Sequence, residues 1–145
     1  KGYLEVGGDC DDAAAAIYGC LKVNRQPVAV CLPLFGDPAY GTSLPTNWTT
    51  DDALHHGLVA DPPWGADPEG EQVIGNHCVC ITGFIPHAEE KNGGYFIFRN
   101  CGGTQGIAYY APSTFLPVTA PRPGYGVISA TYFRRYCLEL LQLLP

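Results

Sequence analysis

The first periodic stretch of the chain is residues 9 to 22, where Ile17, Cys20 and Leu21 recur at helical spacing on one face. Asp9 is placed to cap this helix, and Asp11 and Asp12 suit the positive end of its dipole. Ala13 to Ala16 are strong helix formers, and Asn24 supplies a stop. Pro27 then opens the apolar run PVAVCLPLF, which is short, rich in β-branched residues and bounded by Gly36. That pattern predicts a buried strand.

Residues 36 to 74 are rich in Pro, Gly and Asp and show no sustained period, so they read as a long irregular segment of the kind that often carries function. HCVCITGFI (77–85) reads as a strand, PHAEEKNGG as a polar connection ending in the turn residues Asn92-Gly93-Gly94, and YFIFRN (95–100) as the return strand of a hairpin. Residues 101 to 123 are again irregular, and GYGVIS (124–129) reads as a further strand. Phe133, Tyr136, Cys137, Leu140, Leu141 and Leu144 follow helical spacing, although LELLQLL fits a closing strand equally well. A helix followed by consecutive strands predicts an α+β fold: one or two helices packed on an antiparallel sheet or partial barrel.

Composition narrows this picture. The 145 residues fit a single domain, 1–145, and 46% apolar against 15% charged residues is a globular balance. A net charge of −6 with no basic stripe argues against nucleic acid as a partner. No run of about 18 apolar residues exists, so no membrane partner is expected. The seven cysteines are an odd number, and Cys78 and Cys80 are too closely spaced for a zinc knuckle, so neither a metal nor any other cofactor is expected. Asn47-Trp48-Thr49 is a glycosylation triplet. The chain opens at Lys1 and contains no methionine, which reads as a trimmed or processed chain.

Of the four histidines, His55, His56 and His87 fall in polar connections and read as solvated. His77 differs, because it opens an apolar strand directly after Gly75 and Asn76. The hairpin that follows returns to end at Asn100, and two antiparallel strands joined by a turn bring their open ends together. His77 and Asn100 are therefore expected to touch. A general base needs a neighbour that fixes its tautomer and ring orientation, and an Asn side-chain oxygen can do this at one imidazole nitrogen while the other faces the reaction.

These segments resemble the papain-like cysteine peptidases. GNHCVCITGF resembles that family's Gly-Gly-His-Ala-Val segment, and GGYFIFRNCGG its Tyr-Trp-x-x-x-Asn-Ser-Trp-Gly segment. GYGVISATYFRRYC is similar to the Gly-Tyr-Gly stretch that follows, in the form bacterial members use. CDDAAAAIYGCLKVNRQPVAVCLPLF resembles the helix and Pro-Val-x-Val strand that open the second half of the fold. The resemblance implies the right-hand domain of that fold, the half that supplies His and Asn. It makes His77 the general base and Asn100 its orienting partner, with Asn76 and Cys78 flanking the histidine in the substrate groove.

The family's Gln and Cys-Gly-Ser-Cys-Trp motifs have no counterpart here. Cys10 precedes a helix, but Asp9, Asp11 and Asp12 oppose thiolate formation. Cys101 adjoins Asn100 and reads as a packing residue, and the remaining cysteines lie in apolar contexts where thiols are usually inert. The resemblance therefore implies a partner, an N-terminal half or second chain carrying the nucleophilic cysteine, with a peptide or protein as substrate. Two departures bear on activity. Gly102 stands where the family has the Trp that shields the His–Asn contact, so a wetter contact is expected, and residues 104 to 123 are an insertion. The alternative these departures favour is a catalytically inactive binding module of the same fold.

Overall fold

The computed structural model describes residues 3–5, 10–36, 48, 53, 57–59, 72–90, 93–101 and 124–143. Strand β1 (Tyr3–Glu5) is followed by helix α1 (Cys10–Gly19), which runs on into a π-helical turn over Cys20–Asn24. Arg25 ends that turn in the left-handed conformation. Strands β2 (Val28–Gly36), β3 (Leu58–Val59), β4 (Gln72–Pro86), β5 (Gly94–Asn100) and β6 (Tyr125–Ser129) follow, then helix α2 (Ala130–Tyr136) and strand β7 (Glu139–Leu143).

The seven strands among the described residues form one open sheet in the order β1-β7-β2-β4-β5-β6-β3. Every pairing is antiparallel except β3 with β6. The architecture is α+β, with both helices packed on the sheet rather than interleaved between parallel strands. Among the described residues no helix is long and apolar enough to cross a membrane.

One sheet face carries the main core. Val28, Val30 and Leu32 of β2, Val79 and Ile81 of β4, and Phe96 and Phe98 of β5 are buried there against Ile17 of α1 and Tyr132 and Phe133 of α2. Their spacing is the period of two that a half-covered sheet demands. Phe96 meets Phe133 edge-on at 5.0 Å and Phe84 in a tilted arrangement at 4.9 Å. The Ser129 hydroxyl accepts from the Tyr132 amide at 3.0 Å and so caps α2. The Tyr132 hydroxyl reaches the Pro33 carbonyl at 3.1 Å and ties α2 to β2.

Strand β4 contains one irregularity with a clear cause. Ile81 pairs with Phe98 and Phe84 with Phe96, so two core-facing residues of β4 lie three apart where a regular strand needs an even number. The register shifts between Ile81 and Gly83, and the extra residue keeps Ile81 and Phe84 on the same face. The opposite face beyond the shift buries a second, smaller cluster, Ile85 and Val127 packed by Tyr95, Ile97 and Tyr125.

Three sequence expectations change. The strand read from residue 77 begins at Gln72. The irregular segment 36–74 contributes β3 and the buried side chains of Trp48 and Ala53. The C-terminal apolar run splits into a short helix and a strand, and the helical spacing past Tyr136 is not used. In β7, Leu140 and Gln142 alternate inward, and Gln142 is made tolerable by accepting a 3.1 Å hydrogen bond from the Cys20 thiol. Residues 102–123, Asn92 and the glycosylation triplet's Asn47 and Thr49 lie outside the described residues.

The β4–β5 connection is closed by backbone bonds from His87 to the Gly93 carbonyl (3.0 Å) and from Gly93 to the Glu90 carbonyl (2.8 Å). Gly93 and Gly94 both have positive φ, 91° and 152°. A Cβ on Gly93 would meet open space, whereas one on Gly94 would collide with the Ile85 carbonyl and the Phe84 ring. Gly93→Ala is therefore expected to cost about 1–2 kcal/mol, the penalty of the left-handed region alone. Gly94→Ala is expected to cost distinctly more. Urea unfolding of the two variants measures both, and equal losses would contradict this account.

Candidate active site

The β4–β5 register explains how His77 and Asn100 come together. Val79 pairs directly with Asn100, and cross-strand partners share a face. His77 lies two residues before Val79 on β4, so it points to that same face and is the diagonal neighbour of Asn100. Diagonal neighbours are within reach of long side chains. His77 Nε2 lies 3.0 Å from Asn100 Oδ1, a hydrogen bond of ordinary length.

The backbone on both sides is held. His77 pairs with Leu32 of β2 and lies just beyond the last residue of β5 in the β4–β5 ladder. The Asn100 amide donates to the Gly124 carbonyl at 2.8 Å, which anchors the end of β5 to the start of β6. An amide oxygen only accepts, so the tautomer this contact selects carries its proton on Nε2. Nδ1 is then the nitrogen left with a lone pair, which suits it to accept a proton.

Trp48 completes the site. Its ring meets His77 edge-on, with centroids 4.9 Å apart and planes at 78°, and packs against Phe98 at 5.4 Å. The indole is 95% buried, being 5% exposed, and its Nε1 has no hydrogen-bond partner among the described residues. An indole stands beside the pair, supplied by the long segment before β4, and the contact is partly buried. Sequence reasoning saw Trp48 only as the middle of a glycosylation triplet. The available signal was a large aromatic in a stretch otherwise rich in Pro, Gly and Asp, where an anchor to the core is the natural use of such a ring.

The structure does not bring Asn76 and Cys78 to the pair. Strand alternation sends both to the face opposite His77, and both are exposed. Asn76 sits across from Pro33 and Cys78 across from Cys31. His87, expected in solvent, is instead half-buried with its ring 5.7 Å from that of Tyr95. His55 and His56 lie outside the described residues.

The cysteines sort by burial. Cys20 and Cys137 are buried, and burial pushes the Cys20 thiol above its ordinary pKa. Cys80 is raised by burial too, an effect that the facing Arg99 opposes. Cys101, expected to pack, is exposed. Among the described residues no thiol is hydrogen-bonded to His77. No group of three or more His, Cys, Asp or Glu side chains among them is arranged to hold a metal ion. The site as described is thus an imidazole hydrogen-bonded to Asn100 and packed on one side by Trp48.

No protein-family model matches this sequence, and no curated protein matches it. Among solved structures the chain is similar to the crystal structure of xylellain, a cysteine protease from Xylella fastidiosa. The identity is 16%, the TM-score 0.47, and the match covers 86% of this chain. This chain spans 34% of the length of that protease.

Proposed function

We propose that this domain is the base-supplying half of a papain-like cysteine peptidase, with His77 as general base and Asn100 as the residue that orients it. The observation that carries this reading is the 3.0 Å contact between His77 Nε2 and Asn100 Oδ1, with Trp48 against the imidazole. The four sequence segments that resemble the family support it independently of that geometry.

In this reading a cysteine on a partner, either an N-terminal half or a second chain, approaches His77 Nδ1 and loses its proton to it. The resulting thiolate attacks a peptide carbonyl. The imidazolium then protonates the leaving amine, and the neutral ring later activates the water that hydrolyses the thioester. Asn100 is uncharged, so it holds the ring's orientation without the pull of a carboxylate. Trp48 limits the water that competes for the Nε2–H···O bond.

Activity in the assembled protein tests the roles. Loss of the proton-transfer group by His77→Ala is expected to lower turnover by about 10²–10⁴-fold or more. Asn100→Ala is expected to lower it less, because the base remains but samples wrong orientations. A thiol-directed epoxide applied to the native assembly is expected to label one cysteine on the partner and to fail with His77→Ala. Labelling and turnover unaffected by His77→Ala would sink the catalytic reading and leave the binding-module reading in its place.

The shielding has its own readout in this chain alone. The His77 Nε2 proton is expected to give a persistent imidazole N–H signal in ¹⁵N-resolved NMR. Asn100→Ala should abolish it, and Trp48→Ala should accelerate its exchange with water. A wild-type proton that exchanges as fast as that of a solvated imidazole would contradict the geometry.

A further inference from the structure

The face of β4 turned away from His77 carries a second chemical feature. Cys78 and Cys31 are direct cross-strand partners in the β2–β4 pairing. The Cys78 thiol points at the Cys31 sulfur, 3.0 Å away. Directly paired residues of an antiparallel ladder have Cα atoms about 4.5–5.5 Å apart, inside the range a disulfide spans. Forming an S–S bond of about 2.05 Å therefore needs only a small side-chain adjustment and no change of register. The two sulfurs differ in access, because Cys78 is exposed and Cys31 half-buried. This is a pair of aligned thiols whose arrangement resembles an attacking and a resolving cysteine.

We propose that Cys78 and Cys31 form a reversible disulfide, made by exchange with a small-molecule disulfide and stapling β2 to β4 beside His77. The exposed Cys78 thiolate attacks one sulfur of the oxidant R–S–S–R, forming a mixed disulfide and expelling one RS⁻. Cys31 then attacks the Cys78 sulfur, closing the protein disulfide and expelling the second RS⁻. The two protons lost by the protein thiols end on the two RSH products, so two protein thiols are oxidised as one oxidant disulfide is reduced. This inference is independent of the catalytic reading.

The surroundings of Cys31 set the pH dependence of closure. Its pKa is pushed up to about 11, first by burial and then by the hydrogen bond and charge of Cys78, with Glu139 and Cys137 adding to it. That value belongs to the free pair; once Cys78 is capped in the mixed disulfide its hydrogen bond and charge are lost, while burial, Glu139 and Cys137 still favour the protonated Cys31 thiol, so closure from the mixed disulfide should speed up as pH rises.

The experiment treats the folded chain with 2-hydroxyethyl disulfide, quenches in acid, alkylates free thiols and maps the peptides by mass. The expected product lacks label at Cys31 and Cys78 together and contains those two peptides linked, with the loss of about 2 Da that two hydrogens represent. Dithiothreitol should restore both labels and return the melting temperature, raised in the linked form, to that of the reduced protein. Cys31→Ser should stall with the reagent attached at Cys78, and Cys78→Ser should leave Cys31 labelled and free of adduct. A wild-type chain in which both thiols stay labelled, or in which Cys78 links to Cys80, Cys101 or another cysteine, would overturn the proposal.

Discussion

The pairing of β4 with β5 is the constraint on which the rest of the structure depends. It holds His77 and Asn100 as diagonal neighbours on one face, and it lines up Ile81 with Phe98 and Phe84 with Phe96 against the helices. Both cannot be satisfied by a regular strand, because the inward residues of β4 change parity between Ile81 and Phe84. The extra residue at the register shift resolves this conflict. Without it, either Phe84 would leave the core or His77 would turn to the opposite face, and the imidazole could not reach Asn100.

The parts of this arrangement that depend on local pattern were legible in the sequence. The glycines of the connection and the alternating YFIFRN strand marked the hairpin, and its topology alone placed His77 and Asn100 at one end. The hydrophobic run from Val28 marked β2, and Ile17, Cys20 and Leu21 marked the inner face of α1. The parts that depend on distant partners were not legible. Strand β3 has two residues and exists only because β6 offers it a parallel edge, where the Val127 amide donates to the Gly57 carbonyl at 2.7 Å. The C-terminal leucines support helix or strand equally well. The edge of β2 decides for strand, since Val28 to Cys31 pair with β7 while the Leu138 amide donates to the Cys31 carbonyl at 2.9 Å. The type of Trp48 hinted at an anchor, but its partners were illegible for a related reason: nothing in its neighbours along the chain announces the Phe98 and His77 rings that it packs against.

The placement of Asn76 and Cys78 shows why adjacency along a strand is a poor guide to a site. Residues next to a functional side chain in a loop often share its surroundings. On a strand the period of two sends them to the other face. The side chains found against His77 accordingly come from β5 and from the segment before β4.

The same alternation gives β4 two separate chemistries over three consecutive residues. Toward the helices, Val79 is buried in the core and the His77 ring meets Trp48, which in turn packs on Phe98. Toward the other face, Cys78 meets Cys31 where the thiols can be reached from solution. Burial at Cys31 favours the protonated thiol and so slows the sulfur that would resolve a mixed disulfide. A cross-link there would also hold β2 against the part of β4 that carries His77, since Leu32 faces His77 one residue along from the thiol pair. The backbone beneath the imidazole would then be fixed covalently as well as by the ladder, while its side chain, on the far face of the sheet, would keep its contacts to Asn100 and Trp48.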